Sequence, residues 1–494
     1  MKKNDFSRRQ FLAAAASTVF AVPSIVPARV LGAEAPSKRF AVGIIGCGRI
    51  ACGMDAPGLF VNRDIATLVA ISDVDTSRMD GFYQKVQKDW KGRDLARTRC
   101  YQDYRKLLDD PAIDAVMICT PDFWHARMAV EACLKGKDVY VQKPMAMSVE
   151  QGRAVATAVK ACGRVFHLGT QLRSEGIGAL GAHHRQATEY VWDGRIGKVV
   201  RVEIGLPNDP AEFKWPVEEP VPACLDWNLW QGPCAEKPYS RLRSFPRGTK
   251  KNPNAYVLSP RPGWLTVQEY CMGMIAGHGS HDLDLAQWAL GEQLSGPNRV
   301  KGTCTYPKRR LWDVHGPCDI TLTYDHDNGV HAAGCVVHVQ NVPAVPHGIR
   351  YIGEKGDWIY CAHGNGTVKV TTSDPSFGAT GGKGRRLKSL DASRPELVTG
   401  PVKKQAVRNT LSHHRAWFEA MKTRGETNVP VEVAHRSTTA CVLSYWAMKL
   451  GRELIWNPKT EHFVNDAEAE RTLSRPERGD YGIRPLLKDL AARA

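Results

Sequence analysis

The apolar segment Phe40-Ala41-Val42-Gly43-Ile44-Ile45 runs directly into Gly46-Cys47-Gly48-Arg49-Ile50-Ala51, a strand that ends in a Gly-x-Gly-x-x-Ala turn. Taken alone, such a junction is as readily an ordinary strand-to-helix turn as a dinucleotide cradle, and its context favours the cradle. Gly46 permits a tight turn, and Gly48 lets the backbone approach a pyrophosphate. The small Ala51 lets the next helix pack on the strand, so that N-terminal N–H groups such as those of Arg49 and Ile50 face the phosphates. A second apolar run, Ala66 to Ser72, ends at Asp73, at the distance of about 20 residues where an acid holds the adenosine ribose hydroxyls. Its negative charge repels a 2'-phosphate, which favours NAD over NADP. Arg78 lies close enough in sequence to temper that preference.

From residue 38 to about 170 apolar runs alternate with helical patterns, the mark of a doubly wound parallel sheet. Ala115 to Cys119 leads to Thr120 and Pro121 and then to a helix around His125. Asp138 to Val141 delivers Gln142-Lys143-Pro144, and Val165 to Gly169 is followed by Gln171 and Arg173. Ligands of such sheets bind outside the carboxyl ends of the strands, so these polar residues are expected around one crevice.

Past Gly197 the texture changes. Val199 to Gly205, Val300 to Tyr306, Ile320 to Tyr324, Val330 to His338 and Ile349 to Ile352 alternate as in an antiparallel sheet with one face covered. This predicts a second α/β domain over 171–460, with an insertion at 207–263 and a tail at 461–494. Helices are expected around Trp417 and from Ser437 to Leu450. The insertion carries Trp215, Trp227 and Trp230, with Trp264 at its end. Stacking on sugar faces and core packing are equally open uses for them. An open sheet face of this kind usually needs cover, which predicts a homo-oligomer.

Residues 1–35 read as an export leader. Ser7-Arg8-Arg9-Gln10-Phe11-Leu12 precedes an uncharged, alanine-rich stretch, and Ala33-Glu34-Ala35 supplies a small-residue cleavage site, the pattern handled by the twin-arginine machinery. Pro23 and Pro27 interrupt the stretch and weigh against a membrane-spanning anchor, although an uncleaved leader would hold the protein at the membrane. Periplasmic location follows, and with it a physical constraint. Little free NAD exists there, so a bound cofactor reduced by one substrate must be reoxidised in place.

The formal charge of +16 includes a surplus of three from the leader, where Lys2, Lys3, Arg8, Arg9 and Arg29 face Asp5 and Glu34. No basic helix or aromatic-basic motif supports a nucleic-acid partner, and acidic glycan is the one charge-based partner left. The 14 cysteines show no Cys-x-x-Cys spacing; a chain folded before export is expected to keep mostly free thiols. No metal site is expected, and the adjacent pairs His183-His184 and His413-His414 read as solvent or capping histidines.

Lys143, an amine before a proline at a strand's carboxyl end, is a candidate for sharing a substrate hydroxyl proton. His281, in Gly277-His278-Gly279-Ser280-His281-Asp282-Leu283-Asp284, is the natural general base. Asp284 shares its helix face and could hold a substrate hydroxyl, whereas Asp282 points elsewhere and serves the helix dipole.

With these motifs in view, the chain resembles the Gfo/Idh/MocA oxidoreductases, especially exported bacterial members. The resemblance rests on the glycine turn, Thr120-Pro121, Gln142-Lys143-Pro144, Gln171-Leu172-Arg173, His281 to Leu290, and His435-Arg436-Ser437 through Trp456-Asn457-Pro458. It implies a Rossmann domain joined to an open-faced α/β domain, NAD, and a sugar or cyclitol oxidised by hydride transfer. It gives proton relay to Lys143 and His281 and substrate contact to Asp284. Gln142 stands where the family often has Glu, and Gly277 stands where it usually has Asp, so part of the ordinary relay is absent; His278 or a substrate hydroxyl could replace it. Three functions stay open: a sugar or polyol oxidoreductase with recycled cofactor, a glycosidase working by transient oxidation, and a non-catalytic sugar-binding relative.

Overall fold

β1 (Phe40–Ile45) lies between β2 (Ala66–Ser72) and β4 (Ala115–Ile118) and pairs with both in parallel. With β3 (Arg99–Tyr101), β5 (Asp138–Val141) and β6 (Phe166–Leu168) they form a six-stranded parallel sheet of order β3-β2-β1-β4-β5-β6. The order reverses between β1 and β4, the switch point where such sheets open a crevice. β4 and β5 are buried at every residue, which explains the uninterrupted apolar run of β4. The computed structural model describes residues 39–91, 98–174, 182–209, 215, 217–244, 263–308, 311–341, 346–363, 371–372, 385–406 and 411–493. The expected leader, and part of the 207–263 insertion, lie outside the described residues.

Helices cover both faces of this sheet. On one, Val42 and Ile44 pack with Met117, Phe82 and, from far along the chain, Trp417, Phe418 and Met421 of the helix His413–Thr423. That helix falls within the 171–460 segment assigned to the second domain, yet its apolar face completes the core of the first. On the other face the helices Asp122–Leu134 and Val149–Ala161 supply Phe123, Met128, Val155 and Val159.

The second sheet has nine strands in the order β15-β12-β11-β7-β10-β9-β8-β16-β17. These are β7 (Val199–Leu206), β8 (Arg299–Cys304), β9 (Cys318–Tyr324), β10 (His331–Asn341), β11 (Gly348–Gly353), β12 (Trp358–Ala362), β15 (Leu390–Ala392), β16 (Leu454–Asn457) and β17 (His462–Phe463). A separate two-residue ladder joins β13 (Thr371–Thr372) to β14 (Arg385–Arg386). β7 and β10 pair in parallel and the remaining ladders are antiparallel, so the sheet is mixed. Val202, Ile204, Ile320, Leu322, Val337 and Val339 are buried, and the helices Gly279–Ala289 and Val431–Leu450 pack against the sheet.

The opposite positions of the central strands carry charge. Asp319 accepts hydrogen bonds from His338 (2.9 Å) and Gln340 (2.6 Å), and Glu203 accepts from Arg201 and Arg350 (both 2.9 Å). The open face expected to need cover is polar there and satisfied by ion pairs; at the β11–β12 end Leu387 covers Trp358 and Tyr360. The tail, described over 461–493, packs on the rest of the chain. Gln151 donates to Glu477 (2.6 Å), Arg475 to the Glu269 carbonyl (2.8 Å) and Arg478 to the Gly232 carbonyl (2.8 Å), and the helix Arg484–Ala491 buries Leu486 and Leu490. Among the described residues no helix is long and apolar enough to cross a membrane.

Candidate active site

A crevice of about 290 Å³ opens at the carboxyl ends of β1, β4 and β5. Gly46 has φ of +94°, and a Cβ there would lie 2.7 Å from the Cys119 backbone, so the turn is built for glycine. A Cβ on Gly48 would meet nothing within 4 Å; it would project into the open crevice that Gly48 lines, the space a pyrophosphate needs. A helix starts at Arg49 and Ile50, leaving first-turn N–H groups without intrahelical partners. The turn therefore fits a dinucleotide.

Asp73 sits at the same end of the crevice. Its carboxylate accepts the N–H groups of Cys47 (2.8 Å) and Asp75 (3.0 Å), which ties the second strand to the glycine turn. Burial, with the Asp75 charge next, raises its pKa to about 6, and Arg78 opposes the shift. Thr120 and Pro121 line the crevice where the helix Asp122–Leu134 begins. His125 braces that wall: its ring nitrogens lie 2.6 Å from the Pro144 carbonyl and 2.9 Å from the Thr120 carbonyl, and burial lowers its pKa to about 4.

Gln142 faces the crevice but also reaches under it, donating to both carboxylate oxygens of Asp55 (3.0 and 2.9 Å). Asp55 is fully buried at the end of the π-helical turn Ala51–Asp55, where Cys119 Sγ (3.1 Å) and His414 Nε2 (3.1 Å) also meet it. Sequence reasoning missed Asp55; its only signal is a lone acid in the apolar opening of the first helix. His414, His413 and His184 are buried, which corrects their reading as solvent or capping histidines. His413 and His414 find partners inside, His413 at the Leu168 carbonyl (2.9 Å) and Ser174 Oγ (3.0 Å) and His414 at Asp55, whereas both ring nitrogens of His184 are buried without a hydrogen-bond partner.

Lys143 crosses the crevice and donates to the Gly277 carbonyl at 2.5 Å. The position that lacks the family carboxylate thus presents its backbone oxygen to the lysine. His281 begins the helix Gly279–Ala289 nearby. Its Nδ1 is buried with no hydrogen-bond partner, and burial, followed by the Lys143 charge, holds its pKa well below 6.5. His278 lines the crevice. Asp282 accepts from His363 Nδ1 at 3.0 Å, so it does more than serve the helix dipole.

Arg173, expected at the crevice, and Asp284, expected at a substrate hydroxyl, pair with each other. Arg173 Nε and Nη2 grip both oxygens of Asp284 at 2.6 and 2.7 Å, and Nη1 donates to Gln293 at 2.7 Å. Both side chains are engaged in the interior, away from the crevice lining. Gln171 is buried likewise and donates to the Tyr140 hydroxyl at 3.1 Å. Of the tryptophans, Trp230 and Trp264 line the crevice from buried positions. Trp227 stacks on Trp230 with centroids 4.7 Å apart, a core use, while Trp215 is exposed.

A switch-point crevice with a glycine-turn cradle on one side and Lys143 reaching across it to the segment before His281 marks a Rossmann-type nucleotide-binding domain with an appended α/β domain. Residues 40–170 match the family model described as "Oxidoreductase family, NAD-binding Rossmann fold", and residues 371–483 match "Oxidoreductase family, C-terminal alpha/beta domain". The chain belongs to the Gfo/Idh/MocA family. A scyllo-inositol 2-dehydrogenase (NAD(+)) of Bacillus subtilis is 30% identical over 174 residues, 34% of this chain and 46% of the relative. An alpha-N-acetylgalactosaminidase of Shewanella oneidensis is 33% identical over 123 residues, 25% of this chain and 26% of the relative. The matched stretch spans less than half of either curated relative. The crystal structure of the aldose-aldose oxidoreductase from Caulobacter crescentus complexed with glycerol superimposes with a TM-score of 0.54 at 18% identity, covering 85% of this chain and 100% of that one, and shares the fold.

Proposed function

We propose that this protein oxidises a CH–OH group of a sugar, sugar derivative or cyclitol by hydride transfer to a tightly held NAD that is recycled within the same pocket. The observation that carries this reading is the span of Lys143 across the crevice that the dinucleotide turn lines, to the Gly277 carbonyl, with its charge felt at His281. NAD supplies the hydride acceptor when bound; Gly46, Gly48, Arg49, Ile50 and Asp73 would hold it, with Thr120, Pro121, His125 and Gln142 shaping the nicotinamide end. His281, kept neutral by its surroundings, has a lone pair with which to take the substrate hydroxyl proton. The Lys143 ammonium stabilises the negative charge that develops on that oxygen. NAD over NADP follows from the Asp73 charge, and sugar or polyol chemistry agrees with the scyllo-inositol relative.

The glycosidase reading is favoured by a specific observation, the likeness to an alpha-N-acetylgalactosaminidase. There, oxidation at one sugar carbon acidifies its neighbour, His281 removes that proton as the glycosidic oxygen leaves, water adds, and the hydride returns. A panel of free sugars, cyclitols and glycosides in deuterated water separates the two. A net oxidised or transhydrogenated product supports the oxidoreductase; bond cleavage with deuterium at a sugar C–H supports the glycosidase; no turnover of any member by nucleotide-loaded protein contradicts both.

The twin-arginine leader completes the proposal with a periplasmic workplace. In cells lacking the twin-arginine translocase the protein should vanish from the periplasmic fraction, and its undiminished presence there would contradict export by that route.

A further inference from the structure

Three histidines that the hydride transfer does not use meet beside the crevice. His278 follows the short helix Met274–Gly277 and lines the crevice, His347 directly precedes β11, and His363 directly follows β12. One ring nitrogen from each lies within 4.8 Å of the other two. His278 Nδ1 and His363 Nε2 are 3.3 Å apart, which equals the separation of about 3.3 Å between two nitrogens on a tetrahedral ion with bonds of about 2.0–2.1 Å. The His347 ring stacks on His363 with centroids 4.7 Å apart, and its Nε2 is buried without a hydrogen-bond partner.

The surroundings agree. His363 donates Nδ1–H to Asp282, which fixes the tautomer whose Nε2 presents a bare lone pair toward His278. The second oxygen of Asp282 is buried with no hydrogen-bond partner, so a carboxylate charge is held out of water beside the cluster, a costly arrangement that a nearby cation offsets.

We propose that His278, His347 and His363 bind a divalent transition-metal cation of the zinc class, that Asp282 orients His363, and that the fourth coordination position accepts an oxygen ligand from the crevice. Three imidazoles and one open position form the donor set of catalytic zinc; magnesium and calcium take oxygen donors instead. If the proposed sugar chemistry holds, that oxygen is the substrate hydroxyl, polarised for loss of its proton to His281. This clause rests on the proposed function; the binding of the ion does not.

The test is cobalt titration of the chelator-treated full-length mature protein. One Co²⁺ per chain should produce the visible d–d absorption of a tetrahedral site, zinc should abolish it, and azide should shift it by entering the open position. His347→Gln and His363→Gln should each remove the band, and Asp282→Asn should weaken cobalt binding about 10–100-fold. His326→Gln, in the separate Glu292-His326-His331 group, should leave it intact. A folded wild-type protein with no saturable band, or a band that survives both His347→Gln and His363→Gln, overturns the site; a band indifferent to azide overturns the open position. No turnover is required, so failure here leaves the oxidoreductase reading standing, and the reverse.

Discussion

Arg173 and Asp284 form a two-pronged ion pair with their side chains 2% and 1% exposed. It joins the segment after β6 to the helix Gly279–Ala289, and thereby holds the helix that carries His281. Removing one partner strands the other charge in the interior. Asp284→Ala should destabilise the protein by about 3–5 kcal/mol, read as a lower urea midpoint. A substrate ligand at this position would instead raise KM and leave the midpoint unchanged.

The two glycines of the dinucleotide turn should separate cleanly. Gly48→Val places its side chain in open crevice space and should weaken NAD binding at least about tenfold, about 1.4 kcal/mol, by calorimetry, with little change in melting temperature. Gly46→Ala must keep a positive φ and push against the Cys119 backbone, so it should lower the melting temperature before any ligand is added.

Asp73 carries the cofactor preference. Asp73→Ser removes the charge that opposes a 2'-phosphate and should shift the ratio of NAD to NADP affinity toward NADP by about tenfold or more, since each 1.4 kcal/mol is tenfold. Titration of wild type and variant with both nucleotides checks it; an unchanged ratio places the ribose elsewhere.

Acid should unfold this protein earlier than its carboxylates alone require. Burial holds His125 near pKa 4 and His167 and His184 near 3 in the folded state, against about 6.5 in an unfolded chain. Between those values the unfolded chain binds protons that the folded one excludes, so stability is intact above about pH 6.5 and falls as pH drops below it, by up to about 1.4 kcal/mol per histidine per pH unit. Melting temperature should decline from about pH 6.5 downward, and His184→Gln should flatten part of the slope.

The dinucleotide half was legible because its signals are local. Gly46, Gly48, Asp73, Thr120 and Lys143 each stand at a strand end within a few residues of the apolar run that places them, and the strands of the second sheet showed the same way through alternation. What escaped lies across distance. Nothing near Asp284 announces that Arg173 will claim it, and Asp55 reads as an ordinary helical acid until Gln142 and His414 fold over it. His278, His347 and His363 sit on three separate segments, so their meeting is a property of the sheet register. The helix His413–Thr423 belongs by sequence to the second half and by packing to the first, because Trp417 and Phe418 fill a face of the parallel sheet.

The most direct test of hydride transfer in this crevice is the absorbance of nicotinamide bound to native mature protein. Adding an active sugar or cyclitol should raise the reduced-nicotinamide signal, a second sugar acting as acceptor should discharge it without added NAD, and Lys143→Ala should abolish the rise while still binding nucleotide. Native protein that carries no nucleotide, with no signal from any sugar or cyclitol even after loading, would contradict the account.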